Sequence, residues 1–244
     1  MTRGFGEAEF ASRLPETVTA VAGLVTQLGD MWFVVVGICA LFVLASRDRS
    51  LTDAPATDCV YLLALTVGAY SLTVALKHAF GLPRPPGAAT ATPPAWIPQF
   101  GHAAYESMVT GDSYGFPSGH ALKTTAVYGA GALALDVWDR ERRLALAAGI
   151  GVLVAASRVV LGVHYVVDVV AGAAVGALFL AVAVRSTDQR PARALALSTV
   201  LGALAVGVAG TSKSVLALSA AAGGLVVWVG TDRVRAARTD AAEG

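Results

Sequence analysis

Long apolar stretches alternate with short polar links along most of the chain. Several stretches are shorter than the roughly 20 residues that a straight membrane crossing needs, so their ends are approximate. The pattern predicts an all-α, polytopic membrane bundle with six to seven transmembrane helices. The predicted spans lie near residues 31–46, 57–77, 119–137, 143–162, 165–184, 194–210 and 214–230.

The first stretch with helical periodicity is amphipathic and differs from these spans. Between residues 14 and 28, apolar side chains recur at helical spacing with threonine and glutamine among them. Pro15 suits a first helical turn, and Asp30 follows the stretch. This composition favours a helix at the membrane interface over a crossing, and the crossing alternative stays open.

Polar breaks divide the chain into four predicted segments. They are an N-terminal interfacial helix (1–30), a membrane core (31–184), an appended transmembrane hairpin (185–231) and a cytoplasmic tail (232–244). The longest predicted loop, about residues 78–118, is rich in proline, glycine and alanine. A loop of this length is typical of a lid, a binding loop or an ill-ordered connector, and these alternatives stay open.

The composition agrees with a lipid environment. Hydrophobic residues make up 55% of the chain and charged residues 14%, with a mean hydropathy of +0.64. A soluble domain carries about 25% charged residues, so a soluble helical protein is the weaker alternative. The net charge of +1 gives no sign of a nucleic-acid partner. Cys39 and Cys59 lie in apolar stretches and are expected to be buried thiols, without the spacing of a zinc site.

Basic residues are unevenly distributed between the two predicted sides of the membrane. Outside the candidate site, one side carries Arg3, Arg13 and Lys213. The other side carries 11 basic residues, in the links 47–56, 138–143 and 185–193 and in the C-terminal tail. Because cytoplasmic loops are enriched in lysine and arginine, this second side is predicted to be cytoplasmic and the candidate site extracytoplasmic. The 11 residues are Arg47, Arg49, Arg140, Arg142, Arg143, Arg185, Arg190, Arg193, Arg233, Arg235 and Arg238.

Three polar clusters fall at span ends on the predicted extracytoplasmic side. The first joins Lys77 to Arg84 and Pro85 at the end of the second span. Gly81 and Pro83 break the helix, which allows Arg84 to fold back toward Lys77. Taken alone, these cations are explained by snorkelling at a span end.

The second cluster is the turn Pro117-Ser118-Gly119-His120, which leads directly into the third span. Ser118 is the expected helix cap. The free N–H groups at such a helix start favour an anion, and His120 lies beside them.

The third cluster runs from Ser157-Arg158 to His164 and Asp168. An arginine within an apolar stretch costs at least about 2.5–3.5 kcal/mol to insert, so Arg158 is expected to have a partner or a task. The spacing of four places His164 and Asp168 on one helix face, where the carboxylate would accept a proton from one ring nitrogen. The other nitrogen would then be free as a nucleophile or base.

The predicted topology brings all three clusters to one leaflet. Three cations, a helix start and two histidines are typical of a phosphate site that carries its own nucleophile and acid. The sequence has no carboxylate cluster suited to Mg²⁺. We therefore expect catalysis by positioned cations, with no metal and no other cofactor.

At these residues the chain resembles the type 2 phosphatidic acid phosphatase family, which shares its site with vanadium haloperoxidases. All 11 positions of the three-part signature match, in order, within roughly residues 57–184. They are Lys77, Arg84, Pro85, Pro117, Ser118, Gly119, His120, Ser157, Arg158, His164 and Asp168.

The resemblance implies a role for each cluster. Lys77, Arg84 and Arg158 would clamp the phosphoryl oxygens, and Ser118 with the Gly119 N–H would complete the clamp. His164 would attack phosphorus and form a phosphohistidine, oriented by Asp168. His120 would protonate the leaving oxygen and then activate water. Lys123 lies one turn after His120, where it would either tune the site and meet lipid phosphate or point outward to the membrane surface.

The leading hypothesis is therefore a membrane lipid phosphatase. Its substrate would be a lipid phosphate or a polyprenyl diphosphate at the outer leaflet. A lipid phosphotransferase that uses the same intermediate is a second hypothesis. A non-catalytic binder or transporter of lipid phosphate is a third, although binding alone would need only the cations. A haloperoxidase is disfavoured because that branch is soluble. The sequence leaves open the individual substrate, the oligomeric state and the role of the 194–230 hairpin.

Overall fold

The computed structural model describes the backbone of residues 3–243 and the side chains of residues 3–234. Within residues 3–243 the chain is helical and contains no strand. A 3₁₀ turn at Gln27–Gly29 joins α2 to α3. The helices are α1 (Glu7–Ser12), α2 (Glu16–Thr26), α3 (Met31–Arg47), α4 (Pro55–Phe80), α5 (His102–Val109), α6 (Gly119–Ala134), α7 (Arg140–Val160), α8 (Val166–Thr187), α9 (Pro191–Ala209) and α10 (Ser212–Glu243).

The predicted all-α membrane bundle is confirmed. By length and apolar composition, α4, α7, α8, α9 and α10 each suffice to cross a bilayer. The α2 and α3 helices, bent by 55° at their junction, qualify as a sixth span when they are taken together. The stretch predicted as a span at 119–137 forms α6, whose 16 residues extend for about 24 Å, less than a hydrocarbon core of about 30 Å.

The short α6 lies in the middle of the bundle, between α7, α8 and α4. Its backbone touches that of α8 because α8 has glycine at the contact points. A Cβ atom at Gly172 would collide with the Ser118 carbonyl oxygen, and one at Gly176 with the Leu122 carbonyl oxygen. This close approach fixes the start of α6 against the first half of α8, as is typical of small residues between membrane helices.

The α9–α10 hairpin packs against α4. Ser198 on α9 donates a hydrogen bond to the Ala64 carbonyl oxygen at 2.6 Å, and a Cβ at Gly68 would lie 2.7 Å from the same serine hydroxyl. The link between the two helices lies at the end of α4 that carries Lys77. The hairpin therefore adds a wall to the side of the bundle where the polar clusters lie.

The N-terminal helix lies partly inside the bundle. The α2 helix packs against α7 and α5, and the Thr26 side chain in its last turn is fully buried. The sequence pattern did not indicate this burial, because a threonine among the apolar positions of an amphipathic stretch gives no sign of a buried polar contact. Its interfacial location in the membrane stays a prediction.

Some sequence predictions fall at the edge of the described chain. The predicted tail continues α10 to Glu243. Residues 1, 2 and 244, and the side chains of Arg235 and Arg238, lie outside the described part of the structure. The four-segment division therefore stays a prediction.

Candidate active site

The predicted site residues come together at one end of the bundle. They lie at the C-terminal ends of α4 and α7 and at the N-terminal ends of α6 and α8. An open cavity of about 500 Å³ lies between them. The predicted residues that line it are Lys77, Arg84, Gly119, His120, Lys123 and His164.

Lys77 and Arg84 are held by the segment that precedes α6. The α4 helix ends at Phe80, and Gly81 adopts the left-handed conformation that lets the chain turn back. Lys77 Nζ donates to the Tyr114 carbonyl at 2.6 Å, and Arg84 Nε donates to the Ser113 carbonyl at 2.8 Å. The Ser113 hydroxyl lies 3.3 Å from both cationic groups. Part of the predicted 78–118 loop thus holds the two cations in place through hydrogen bonds.

Ser118 begins α6, but it does not cap the helix with its side chain as predicted. Its N–H donates to the Asp168 carbonyl at 2.9 Å. Its hydroxyl is buried and has no hydrogen-bond partner in the described part of the chain. The first N–H groups of a helix also lack partners inside the helix. The start of α6 therefore presents several unused donors toward the cavity.

Arg158 is 3% exposed and lies in the last turn of α7. Its Nη1 donates to the Thr26 hydroxyl at 2.9 Å, while its Nε is buried without a partner in the described chain. Arg158 thus has a partner, as expected, and this partner is a threonine of α2. The guanidinium retains an unpaired donor from which an anion could accept a hydrogen bond.

His164 and Asp168 form a buried pair, although not on one helical face as predicted. His164 lies in the turn before α8, and Asp168 lies in the first turn of that helix. Asp168 Oδ2 accepts from the Tyr165 N–H at 3.0 Å and lies 3.4 Å from His164 Nδ1. Arg84 Nη1 lies 3.0 Å from His164 Nε2.

These contacts determine which ring nitrogen of His164 carries the proton. A guanidinium group only donates hydrogen bonds, so Nε2 faces Arg84 as the acceptor. The proton is then on Nδ1, directed to Asp168. Burial lowers the pKa of His164 well below its ordinary value, and Arg84, Arg158 and Lys77 lower it further, against the Asp168 hydrogen bond that raises it. The ring is consequently neutral with a free lone pair on Nε2. Burial also lowers the pKa of Arg84.

His120 is held by a residue that the sequence analysis did not assign to the site. Its Nε2 lies 3.1 Å from Asp30 Oδ1, at the bend between α2 and α3. Asp30 follows the amphipathic stretch, and no local spacing connects it to His120. Thr26 and Ser113 were missed for the same reason.

Arg3 is a further residue that the sequence analysis did not assign to the site. Its Nη1 forms an ion pair with Asp168 Oδ1 at 2.7 Å. Its guanidinium also lies over the rings of Phe116 and Tyr165, at 5.6 and 5.3 Å from their centroids. The N-terminal segment thus reaches the outer side of the His164–Asp168 pair.

Lys123 is 7% exposed and lines the cavity, which excludes the outward-pointing alternative. His78 also lines the cavity, but its Nδ1 contacts the Val74 carbonyl of its own helix. Lys213, in the first turn of α10, also lines the cavity. Among the side chains of residues 3–234, no group of three His, Cys, Asp or Glu is arranged to hold a metal ion.

The arrangement suits a tetrahedral anion beside a nucleophilic nitrogen. Lys77, Arg84 and Lys123, together with the start of α6 at Gly119, line the cavity beside the His164 ring. Arg84 contacts the unprotonated Nε2 of that ring. A phosphoryl group bound here would have donors for its oxygens and an imidazole nitrogen within reach of phosphorus.

Comparisons with known proteins agree with this chemistry. The model of the PAP2 superfamily matches residues 58–192. Lipid A 1-phosphatases of Rhizobium etli and Rhizobium johnstonii are 31% and 30% identical over 179 and 178 residues. Each alignment covers 69% of this chain, and 71% and 68% of the respective relatives.

A solved structure is also similar over most of its length. It is the crystal structure of a transmembrane PAP2-type phosphatidylglycerolphosphate phosphatase from Bacillus subtilis. The likeness has a TM-score of 0.55 at 25% identity and covers 75% of this chain and 83% of the solved one. The family model covers more than half of the chain, and together with these relatives it shows that the chain belongs to the PAP2 superfamily and is a membrane-spanning phosphatase.

Proposed function

We propose that this enzyme hydrolyses a lipid phosphate through a phosphohistidine on His164, without a metal ion. The observation that carries the proposal is the environment of His164 Nε2. Asp168 holds the proton on the opposite ring nitrogen, and Arg84 lies 3.0 Å from the free lone pair. An incoming phosphoryl oxygen would take over the Arg84 hydrogen bond, which brings phosphorus to Nε2.

In the first step, the Nε2 lone pair forms a bond to phosphorus and the bond from phosphorus to the leaving oxygen breaks. Lys77, Arg84 and Arg158 stabilise the charge on the equatorial oxygens, and Ser118 with the Gly119 N–H adds neutral donors. The leaving oxygen takes a proton from His120 and departs as the lipid alcohol.

In the second step, water attacks the phosphohistidine. His120, now neutral, accepts a proton from that water as its oxygen bonds to phosphorus. The nitrogen–phosphorus bond breaks, its electron pair returns to Nε2, and inorganic phosphate leaves. Asp168 keeps the His164 ring in the same tautomer and orientation throughout both steps.

The substrate class follows from the shape of the site and from the relatives. The cavity is open and lies at the end of membrane-spanning helices, which suits a head group whose tail remains in lipid. The relatives bear the names of a lipid A 1-phosphatase and a phosphatidylglycerolphosphate phosphatase. A lipid phosphomonoester is therefore the first candidate, and a polyprenyl diphosphate is compatible with the same clamp.

The distribution of arginine supports an extracytoplasmic site. Arginines cluster at the opposite end of the bundle, in the first turn of α7 and around the short link between α8 and α9. They are Arg140, Arg142, Arg143, Arg185, Arg190 and Arg193. The positive-inside rule predicts that this end faces the cytoplasm, and we therefore propose substrate capture at the outer leaflet, with the end of α10 inside.

The test is phosphate release by the detergent-purified enzyme in the presence of EDTA. A phosphatidylglycerophosphate, a phosphatidic acid and a polyprenyl diphosphate are offered in parallel, with His164→Ala as the control. Release that survives EDTA and disappears in the variant supports the proposal and ranks the substrates. Phosphate that appears on an added lipid alcohol instead of in solution would favour phosphotransfer. Equal release by His164→Ala would rule out the phosphohistidine.

A further inference from the structure

The bend between α2 and α3 touches the candidate active site at several points. We call residues 26–30 the N-terminal tip. The Thr26 hydroxyl accepts from Arg158 at 2.9 Å, and the Leu28 carbonyl accepts from the Tyr128 hydroxyl at 2.8 Å. The tip lies outside the stretch that matches the family model, residues 58–192. The family match therefore does not describe the contacts that the tip makes with the site.

The tip approaches the His120 ring closely. A Cβ atom at Gly29 would lie 2.9 Å from His120 Cδ2 and 2.9 Å from Val154 Cγ1, so only glycine fits there without displacing a neighbour. The next residue, Asp30, places its carboxylate 3.1 Å from His120 Nε2. The glycine thus brings the tip close enough for the carboxylate to reach the ring.

The surroundings of His120 are otherwise cationic. Lys123 on its own helix, Arg158 on α7, Lys77 on α4 and Arg84 in the following loop all repel a proton on this ring. Asp30 is the carboxylate in contact with it. A histidine that must carry a proton to a leaving group therefore depends on this carboxylate to offset four positive charges.

We infer that Asp30 is the positioning residue of the proton donor His120. The inference rests on the proposed function, in which His120 protonates the leaving oxygen. Asp30 accepts the Nε2–H and keeps it in both steps. The other ring nitrogen, Nδ1, has no hydrogen-bond partner within the described residues, and it gives its proton to the leaving oxygen and later takes one from water.

The test uses the dependence of the rate on the leaving group. Two phosphomonoesters are compared, a lipid alkyl phosphate and 4-nitrophenyl phosphate, whose nitrophenolate departs without a proton. Asp30→Asn keeps a hydrogen-bond acceptor and removes the charge. Because kcat/KM reports the first step, before the dephosphorylation that both substrates share, we expect kcat/KM for the alkyl phosphate to fall by about 100-fold, the lower end of general-acid effects. That for 4-nitrophenyl phosphate should fall by less than about threefold.

Thr26→Val is the matched variant within the tip. It removes the bond to Arg158, so it should impair both substrates by a similar factor and raise KM. Thermal unfolding of each variant in detergent verifies that the fold persists. Equal losses on both substrates for Asp30→Asn, or no loss on either, would overturn the inference.

The same experiment separates this inference from the proposed function. Loss of activity and of trapped phosphoenzyme in His164→Ala supports the function whatever Asp30→Asn does. A wild-type protein that forms no phosphoenzyme and releases no phosphate overturns the function, and the role of Asp30 falls with it.

A second observation, independent of the first, lies at the other end of the bundle. An apolar cavity of about 300 Å³ opens between α3, α6 and α7, lined by side chains such as Phe33, Ile38, Val127 and Ile150. Arg143 also lines it, and its Nε and Nη1 atoms are buried with no hydrogen-bond partner in the described chain. The adjacent Arg142, by contrast, pairs with Asp139 at 2.9 Å.

The geometry points to a bound phospholipid in this cavity. A phosphate oxygen can accept from one of these unpartnered guanidinium donors, and the apolar lining matches an acyl chain. A buried donor without an acceptor is costly, so a lipid phosphate at Arg143 would stabilise the protein. The occupant is a phosphate-headed lipid of that leaflet, at a site separate from the reaction.

Native mass spectrometry with added phosphatidylglycerol tests this site. Arg143→Gln should lose one tightly held lipid and most of the rise in unfolding temperature that the lipid gives the wild type. Arg142→Gln, its exposed neighbour, should retain both. Equal lipid retention by the two variants would overturn the assignment.

Discussion

Two histidines of the site are each held by a carboxylate, and the two pairs are built differently. His164 and Asp168 are four residues apart and belong to the turn that starts α8. His120 and Asp30 are 90 residues apart and meet only because α2 and α3 bend at the start of α6.

The pairs also differ in their access to water. The side chains of His164 and Asp168 are 1% and 0% exposed, whereas those of His120 and Asp30 are 18% and 30% exposed. A nucleophile benefits from a fixed tautomer in a dry environment. A group that gives a proton in one step and takes one from water in the next needs contact with solvent. The burial of each pair thus suits the role proposed for its histidine.

Removing each histidine gives the largest expected effect and would test this division of roles. His164→Ala should lower kcat by about 10⁴-fold or more on every phosphomonoester, because no nucleophile remains. His120→Ala should lower kcat/KM, which reports the first step, by about 10²- to 10⁴-fold on an alkyl phosphate and far less on 4-nitrophenyl phosphate. Phosphate release and acid-labile phosphoenzyme are measured together. Identical substrate dependence in the two variants would contradict the assignment of roles.

The carboxylate of the buried pair comes next in size. Asp168→Asn replaces the carboxylate that accepts the His164 Nδ1 proton with a neutral amide. The ring is then no longer held in the tautomer that leaves Nε2 unprotonated. We expect kcat to fall by about 10²- to 10⁴-fold with little change in KM, as for other orienting carboxylates. Asp58→Asn, at the far end of α4, is the control and should remain active. A wild-type rate for Asp168→Asn would show that the carboxylate does not orient the ring.

The difference between the pairs also explains what the sequence revealed. His164 and Asp168 were predicted because their spacing is local, and the helical character of the chain followed from its long apolar stretches. The alternation of these stretches also predicted that three clusters lie on the same side of the membrane. These are the clusters that contain Lys77, His120 and Arg158.

Asp30, Thr26, Ser113 and Arg3 could not be predicted in this way, because their partners are distant in the chain. Thr26 in an amphipathic stretch gives no sign that it bonds a buried arginine 132 residues later. The hydroxyl of Ser118 is a related case. The preference of serine for helix starts predicted a cap. In the structure the Ser118 N–H donates to the Asp168 carbonyl, and the hydroxyl has no partner among the described residues.

The pH dependence of the nucleophile offers a third, smaller effect. His164 attacks when its ring is unprotonated. Because its pKa lies well below the ordinary value of 6.5, the ring remains unprotonated at pH 6.5 and somewhat below. The acidic limb of kcat/KM should therefore lie below pH 6.5. Arg84→Gln removes a cation that lowers this pKa, so the limb should move to higher pH while the maximal rate falls.

The pH profile of Arg142→Gln serves as the control for Arg84→Gln, since it removes an equal charge at the opposite end of the bundle. Its acidic limb should coincide with that of the wild type. If the limb of Arg84→Gln does not move, the group that titrates in the free enzyme is not His164.

The smallest expected effect concerns Arg3, which contacts the buried pair from outside. Its ion pair with Asp168 at 2.7 Å is partly exposed, and such pairs contribute about 1 kcal/mol or less. Because the Tyr165 N–H and His164 still bind Asp168 without it, Arg3→Gln should lower kcat by about fivefold at most, and Arg3→Lys by less. The kcat of both variants and of Asp168→Asn is measured at several salt concentrations. The comparison shows how strongly the reactivity of His164 depends on the charge of Arg3, which lies outside the residues that match the family model. A loss for Arg3→Gln as large as that for Asp168→Asn would mean that the N-terminal segment is as necessary to this pair as Asp30 is expected to be to the other.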